Sequence, residues 1–136
     1  MAEYARPLPR PSVATKPFWD GCREGVLRLP WCPACGRPHF FPRSLCPFCL
    51  GTGLEWRAAS GRGRVWSHST VRLSFWGKAF DDSLPYVVAM VELEEGVRIL
   101  SNVVGCAPEE VRIGMPVAVT FDPVTPEVTL PRFRPV

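Results

Sequence analysis

The chain has 136 residues, room for one medium domain or two small ones. Its 46% hydrophobic and 21% charged residues are the composition of a folded core, not of a disordered chain. A net charge of +3 is far from the surplus of a dedicated nucleic-acid binder. No apolar run approaches a bilayer span and the N-terminus shows no hydrophobic signal core, so the sequence predicts a soluble, cytoplasmic protein whose thiols stay reduced.

Residues 1–28 read as an arm and a short helix. Pro7, Pro9 and Pro11 remove amide donors and favour an extended polyproline path. Thr15 is placed to cap a helix running to about Leu27, with Pro17 in its first turn. Phe18, Trp19, Cys22 and Val26 fall on one helical face. That face either packs on the chain's own core or docks on another subunit.

Residues 29–59 hold the strongest signal. Cys32 and Cys35 form one Cys-x-x-Cys pair and Cys46 and Cys49 a second, ten residues apart. Four thiolates so spaced suit tetrahedral Zn²⁺. Two disulfides or four buried thiols are the competing readings, and a disulfide framework would normally accompany a secretion signal. A complete shell of four cysteines leaves no open coordination position, which predicts a structural zinc rather than a catalytic one. His39 lies between the pairs and could replace a cysteine, but the spacing favours the cysteines and leaves His39 as a surface or packing residue. Short strands are expected at 26–31, 37–43 and 54–59, with Phe40 and Phe41 as cover. They make a zinc ribbon with too little apolar area to fold without metal. Cys22 and Cys106 read as small buried hydrophobes.

Residues 60–136 alternate as strands. Val65 to Phe75 places Val65, Val71, Leu73 and Phe75 on one face. A turn-rich loop follows over 77–85. Tyr86–Leu93 and Val97–Val104 flank the tight turn at Glu95-Gly96 as a hairpin. Pro108–Arg112 reads as one helical turn, and Pro116–Phe121 and Glu127–Leu130 as the last strands. The fold class is therefore mainly β: a short N-terminal helix, a four-cysteine zinc ribbon, then a five-stranded OB-fold barrel. An SH3-like barrel and an open meander are the alternatives.

Catalytic motifs are absent from the sequence. Gly61-Arg62-Gly63-Arg64 resembles a phosphate cradle but precedes a strand rather than a helix, and reads as an interdomain turn. His68 has no local carboxylate to orient it as a base and reads as a solvated strand residue. The acidic pairs Asp81-Asp82 and Glu94-Glu95 lie in turns, where adjacency does not make a cooperating pair. The chain is not expected to be an enzyme by itself.

From about Lys16 to Pro135 the chain resembles the small acyl-CoA-associated proteins built from an N-terminal helix, a rubredoxin-like zinc ribbon and a C-terminal OB-fold. The resemblance is carried by KPFWDGCREGVLRL, the CPACG and CPFC knuckles, LEWRAASGRGRVWSHSTV, LPYVVAMVEL, VRILSNVVG, VRIGMPV and LPRFRP, in that order. Leu50 departs from it, standing where a Gly often follows the second knuckle, with Gly51 expected to take that role. Trp31 stands where a polar residue is common. The resemblance implies a non-catalytic accessory subunit of a thiolase-superfamily enzyme: a thiolase, a hydroxymethylglutaryl-CoA synthesis complex, or a thiolase-like aldolase or hydratase of steroid side-chain degradation. Acyl-CoA would be shared with that partner.

Exposed aromatics and Arg are common interface anchors, and Arg suits the phosphates of CoA. Phe18, Trp19, Trp76, Arg132, Phe133 and Arg134 are the candidates for contact with partner or acyl-CoA. The alternative function is a single-stranded nucleic-acid-binding module, which would need aromatic platforms in a positive groove. The modest charge and the acidic Glu92, Glu94 and Glu95 speak against it.

Overall fold

The computed structural model describes residues 4–75 and 77–136. Helix α1 spans Lys16–Glu24. Strands β1 (Arg28–Trp31) and β2 (Glu55–Ala58) pair antiparallel and flank the cysteine knuckles. Strands β3 (Arg62–Val71), β4 (Tyr86–Leu93), β5 (Arg98–Val103), β6 (Pro116–Pro123) and β7 (Thr129–Pro135) close a barrel in the order β3-β4-β5-β7-β6.

Helix α1 begins at Thr15 as expected, but the Thr15 side chain does not cap it. Its hydroxyl turns back to accept the Ser12 amide at 2.8 Å. The helix also stops short of Leu27. Gly25 takes φ 78°, its amide donates to the Cys22 carbonyl, and Val26 donates to the Gly21 carbonyl. This left-handed stop with crossed bonds removes Val26 from the helical face. Phe18 and Cys22 enter a cluster that also holds Leu27 and Leu29 and the barrel residues Val65, Val91, Ile99, Val117 and Phe133. Helix, ribbon strand and barrel therefore share one core, and the helix docks on its own chain. Full burial of Phe18 and Leu29 contributes about 1.5–3 kcal/mol each by transfer from water.

The ribbon has two paired strands. In place of a return strand over 37–43 there is one bridge, Trp31 to Pro38, joined by the His39 amide donating to the Pro30 carbonyl. Pro38 and Pro42 lack amide donors, which denies that segment a longer ladder.

The β4 strand YVVAMVEL alternates as expected, with Val87, Ala89, Val91 and Leu93 inward. The β3 strand does not. A register shift between Val65 and Ser67 breaks its alternation, the strand ends at Val71, and Leu73 and Phe75 stand 73% and 94% exposed. Gly61 makes the turn, while Arg62 to Arg64 already belong to β3. Gly63 pairs with both Leu93 and Val117, where β3 is shared between β4 and β6, and a Cβ there would overlap the Glu92 carbonyl oxygen. Only Gly lets the strands meet this closely.

The last strand is β7 over Thr129–Pro135, not 127–130. It pairs with β6 along its length but with β5 only at Val103–Phe133. A strand paired mainly on one side tolerates Pro131 and Pro135.

Candidate functional site

The four knuckle cysteines converge. The sulfurs of Cys32, Cys35, Cys46 and Cys49 lie within 4.8 Å of one another, with Cys32–Cys49 at 3.5 Å and Cys35–Cys46 at 3.6 Å. A tetrahedron of thiolates about 2.3 Å from Zn²⁺ requires sulfurs about 3.8 Å apart, so the donor set fits the metal. Each knuckle closes by the same backbone bond: Gly36 N–H to the Cys32 carbonyl at 2.8 Å, and Leu50 N–H to the Cys46 carbonyl at 2.9 Å. The Phe48 amide points at the Cys46 sulfur at 3.4 Å.

Electrostatics make the same demand. Burial pushes the Cys46 thiol up, but the Cys49 and Phe48 amides, together with hydrogen bonds from the Cys35 and Cys49 side chains, more than offset it and bring it to about 7. For Cys49 the Gly51 amide favours the thiolate, yet Cys32, burial and the other sulfurs together push it up to about 12. Four thiolates this close need a cation between them to be ionised together. His39 stays outside the set, 3% exposed and packed beneath the ribbon.

The second knuckle corrects one sequence expectation. Gly51 does not take over the glycine role, because Leu50 itself adopts φ 65°, matching φ 75° at Gly36. At Gly51 a Cβ would make only ordinary van der Waals contact, 3.4 Å from the sulfurs of both Cys32 and Cys49, so this position does not demand a glycine.

The proposed contact residues scatter. Phe18 and Phe133 are 1% and 0% exposed and belong to the core, so neither offers its ring to a partner. Arg132 is also engaged, with its guanidinium on Asp122 Oδ2 at 2.8 Å and Asn102 Oδ1 at 2.6 Å. Trp19 is half-buried beside an apolar groove of about 300 Å³ that includes Phe41 and Leu100. Arg134 is exposed. Trp76 lies outside the described residues. What sequence reasoning missed is the exposure of Leu73 and Phe75, read only as sharing one strand face with Val65 and Val71. The signal was present as an apolar run entering a turn-rich loop.

Arg132 lines a cavity of about 590 Å³ at the barrel mouth, with Phe80, Tyr86, Cys106 and Phe121. Arg6 of the N-terminal arm crosses it, stacked on Phe80 at 4.8 Å and bonded to Ala79 and Asp82. Neither spare cysteine is a nucleophile by environment. Burial pushes the Cys22 thiol up to about 12, and burial with the Glu110 carboxylate raises Cys106. His68 is exposed on β3, and the Arg98 guanidinium covers one face of the Trp66 ring at 3.9 Å. Among the described residues, no helix is long and apolar enough to cross a membrane.

Ribbon and barrel define the class: a rubredoxin-like zinc-ribbon protein with an appended OB-fold. A family model described as the ChsH2 rubredoxin-like zinc ribbon domain matches residues 19–55, and one described as the ChsH2 C-terminal OB-fold domain matches residues 56–122. The chain is 38% identical over 129 residues to a probable enoyl-CoA hydratase alpha subunit of Thermomonospora curvata, covering 93% of this chain and 40% of that one. It is 43% identical over 91 residues to a DUF35 domain-containing scaffold protein of Methanocaldococcus jannaschii, covering 66% of this chain and 63% of that one. It thus spans less than two thirds of either relative. In structure it resembles a chain of the Ltp2-ChsH2(DUF35) aldolase with TM-score 0.84 and 34% identity, covering 94% of this chain and 98% of that one. The chain belongs to the DUF35 family, and its zinc is a structural one.

Proposed function

We propose that this chain is a non-catalytic accessory subunit of a thiolase-superfamily acyl-CoA enzyme, stabilising the partner and helping to form the acyl-CoA path. The observation that carries the reading is the likeness, over nearly the whole of both chains, to a chain of the Ltp2-ChsH2(DUF35) aldolase. The 38% identity with a probable enoyl-CoA hydratase alpha subunit supports the same substrate class. The partner's reaction is thiolysis, condensation, aldol cleavage or hydration.

Within this reading Cys32, Cys35, Cys46 and Cys49 are the zinc ligands. The division into 1–28, 29–59 and 60–136 assigns arm and helix, ribbon, and barrel. Trp19, Trp76 and Arg134 remain contact candidates, joined by exposed Leu73 and Phe75. Large apolar side chains this exposed suit a buried interface. Reduced thiols at the ribbon favour a cytoplasmic complex.

The test is co-expression with a thiolase-like enzyme encoded beside it in its native host. The two should co-elute as one hetero-oligomer, and Phe75→Asp should weaken the assembly while leaving the chain folded. Separate elution of two well-folded proteins overturns the proposal.

A further inference from the structure

The N-terminal arm ahead of α1 is fixed at two points and loose between them. At the helix end the Ser12 amide donates to the Thr15 hydroxyl, and the Lys16 amide to the Ser12 carbonyl, each at 2.8 Å. At the other end Arg6 is clipped to the connection between β3 and β4. Its Nε donates to the Ala79 carbonyl at 3.0 Å and its Nη2 to Asp82 Oδ1 at 3.1 Å, and the guanidinium lies 4.8 Å from the Phe80 ring centre. Between these points Pro9 and Pro11 share a small crevice with Trp19 and Val128. Among the described residues, no backbone hydrogen bond ties residues 4–11 to the barrel. Pro7, Pro9 and Pro11 cannot donate one. They also fix φ, so the arm loses little freedom when it docks.

The clipped connection is also a wall. Its residues Phe80, Ser83 and Pro85 line the cavity of about 590 Å³ at the barrel mouth, and half-buried Cys106 lines the same cavity. The hydrogen bonds inside the connection are local: the Asp81 amide donates to the Lys78 carbonyl at 3.2 Å, and the Ser83 amide and hydroxyl to the Phe80 carbonyl at 3.1 and 2.8 Å. Arg6 brings it a contact from 73 positions away. That contact is suited to release. The Arg6 side chain is 20% exposed and the Asp82 side chain 86%, and an ion pair this open is weak and screened by salt.

We propose that residues 4–11 are a releasable strap. With Arg6 seated, the strap holds the β3–β4 connection closed over the barrel-mouth cavity. With Arg6 released, the connection moves off and the cavity opens to small molecules. The device uses contacts within this chain and does not depend on the accessory-subunit reading.

Amide hydrogen exchange and N-ethylmaleimide labelling of Cys106, both read by peptide mass on the zinc-loaded full chain, test this. Arg6→Ala should speed exchange in the peptide spanning 78–85 by about threefold or more, the effect of losing a cation–π contact and a weak ion pair. Cys106 should label faster in the same variant. Arg6→Lys keeps a cation for Asp82 and Phe80 but not the guanidinium fork, and should fall between the two. Exchange in β4 and β5 should not change. The proposal is overturned by unchanged exchange over 78–85 in Arg6→Ala, by unchanged Cys106 labelling, or by faster exchange spread evenly through β4 and β5, which would make Arg6 a general stabiliser of the barrel.

Discussion

Leu50 shows how much one backbone angle decides in a small metal site. The knuckle needs a left-handed residue after its second cysteine pair, and a Cβ in that conformation costs about 1–2 kcal/mol. Leu50 bears that cost at φ 65° while 71% exposed, so its side chain returns little packing. Leu50→Gly should therefore raise the unfolding free energy of the zinc-loaded protein by about 1 kcal/mol in urea melts. A loss of stability would mean that the leucine packs better than its exposure implies. His39 sets a pH dependence. Burial, then the Arg43 charge, hold its pKa below the ordinary 6.5. Between the depressed value and 6.5 the unfolded chain binds the extra proton, so stability falls as pH drops below 6.5 and is retained above it. His39→Gln should flatten the stability difference between about pH 7.5 and about pH 6. An unchanged slope would assign acid sensitivity elsewhere, to the thiolates first.

Among the elements, the weakest seam of the barrel is between β5 and β7, which share one register pair. Side chains strengthen it. Ser101 Oγ donates to the Pro131 carbonyl at 2.7 Å, and Arg132 ties Asn102 on β5 to Asp122 on β6. Arg132→Ala would strand these partly buried acceptors and should cost about 2–3 kcal/mol in a urea melt. A cost below about 0.5 kcal/mol would place the closure in the apolar core alone. The ribbon is a second seam, held by its metal. Cys46→Ser should lose zinc, read by metal analysis; soluble, native-like protein with a full equivalent of zinc would contradict the ligand set.

What the sequence made legible follows from how local each signal is. Two Cys-x-x-Cys pairs and the alternation of YVVAMVEL are decided by neighbours a few residues apart, and both stand where they were expected. The Val65/Ser67 bulge is decided by β4 and β6 across the barrel, so the period that put Leu73 and Phe75 on one face with Val65 and Val71 ran on past the strand's end. Thr15 had the right chemistry for a cap, but the Ser12 amide competed for its hydroxyl. Phe18 and Trp19 are adjacent and were alike in sequence. Only the packing of α1 on the barrel separates the core ring from the half-buried one. His39 and Glu95 lie 56 positions apart, and no sequence spacing announces that they line one cavity.

At the scale of the whole molecule, helix, ribbon and barrel share one core and present exposed apolar groups around it. That arrangement suits a part that shapes another protein's site. The most direct test is acyl-CoA turnover by three preparations: this chain alone, the thiolase-like partner alone, and the co-expressed pair. The account predicts no turnover by the isolated chain and a higher rate, or longer-lived activity, for the pair than for the partner alone. Thioester turnover by the purified chain, or a partner equally active and stable without it, would contradict the account.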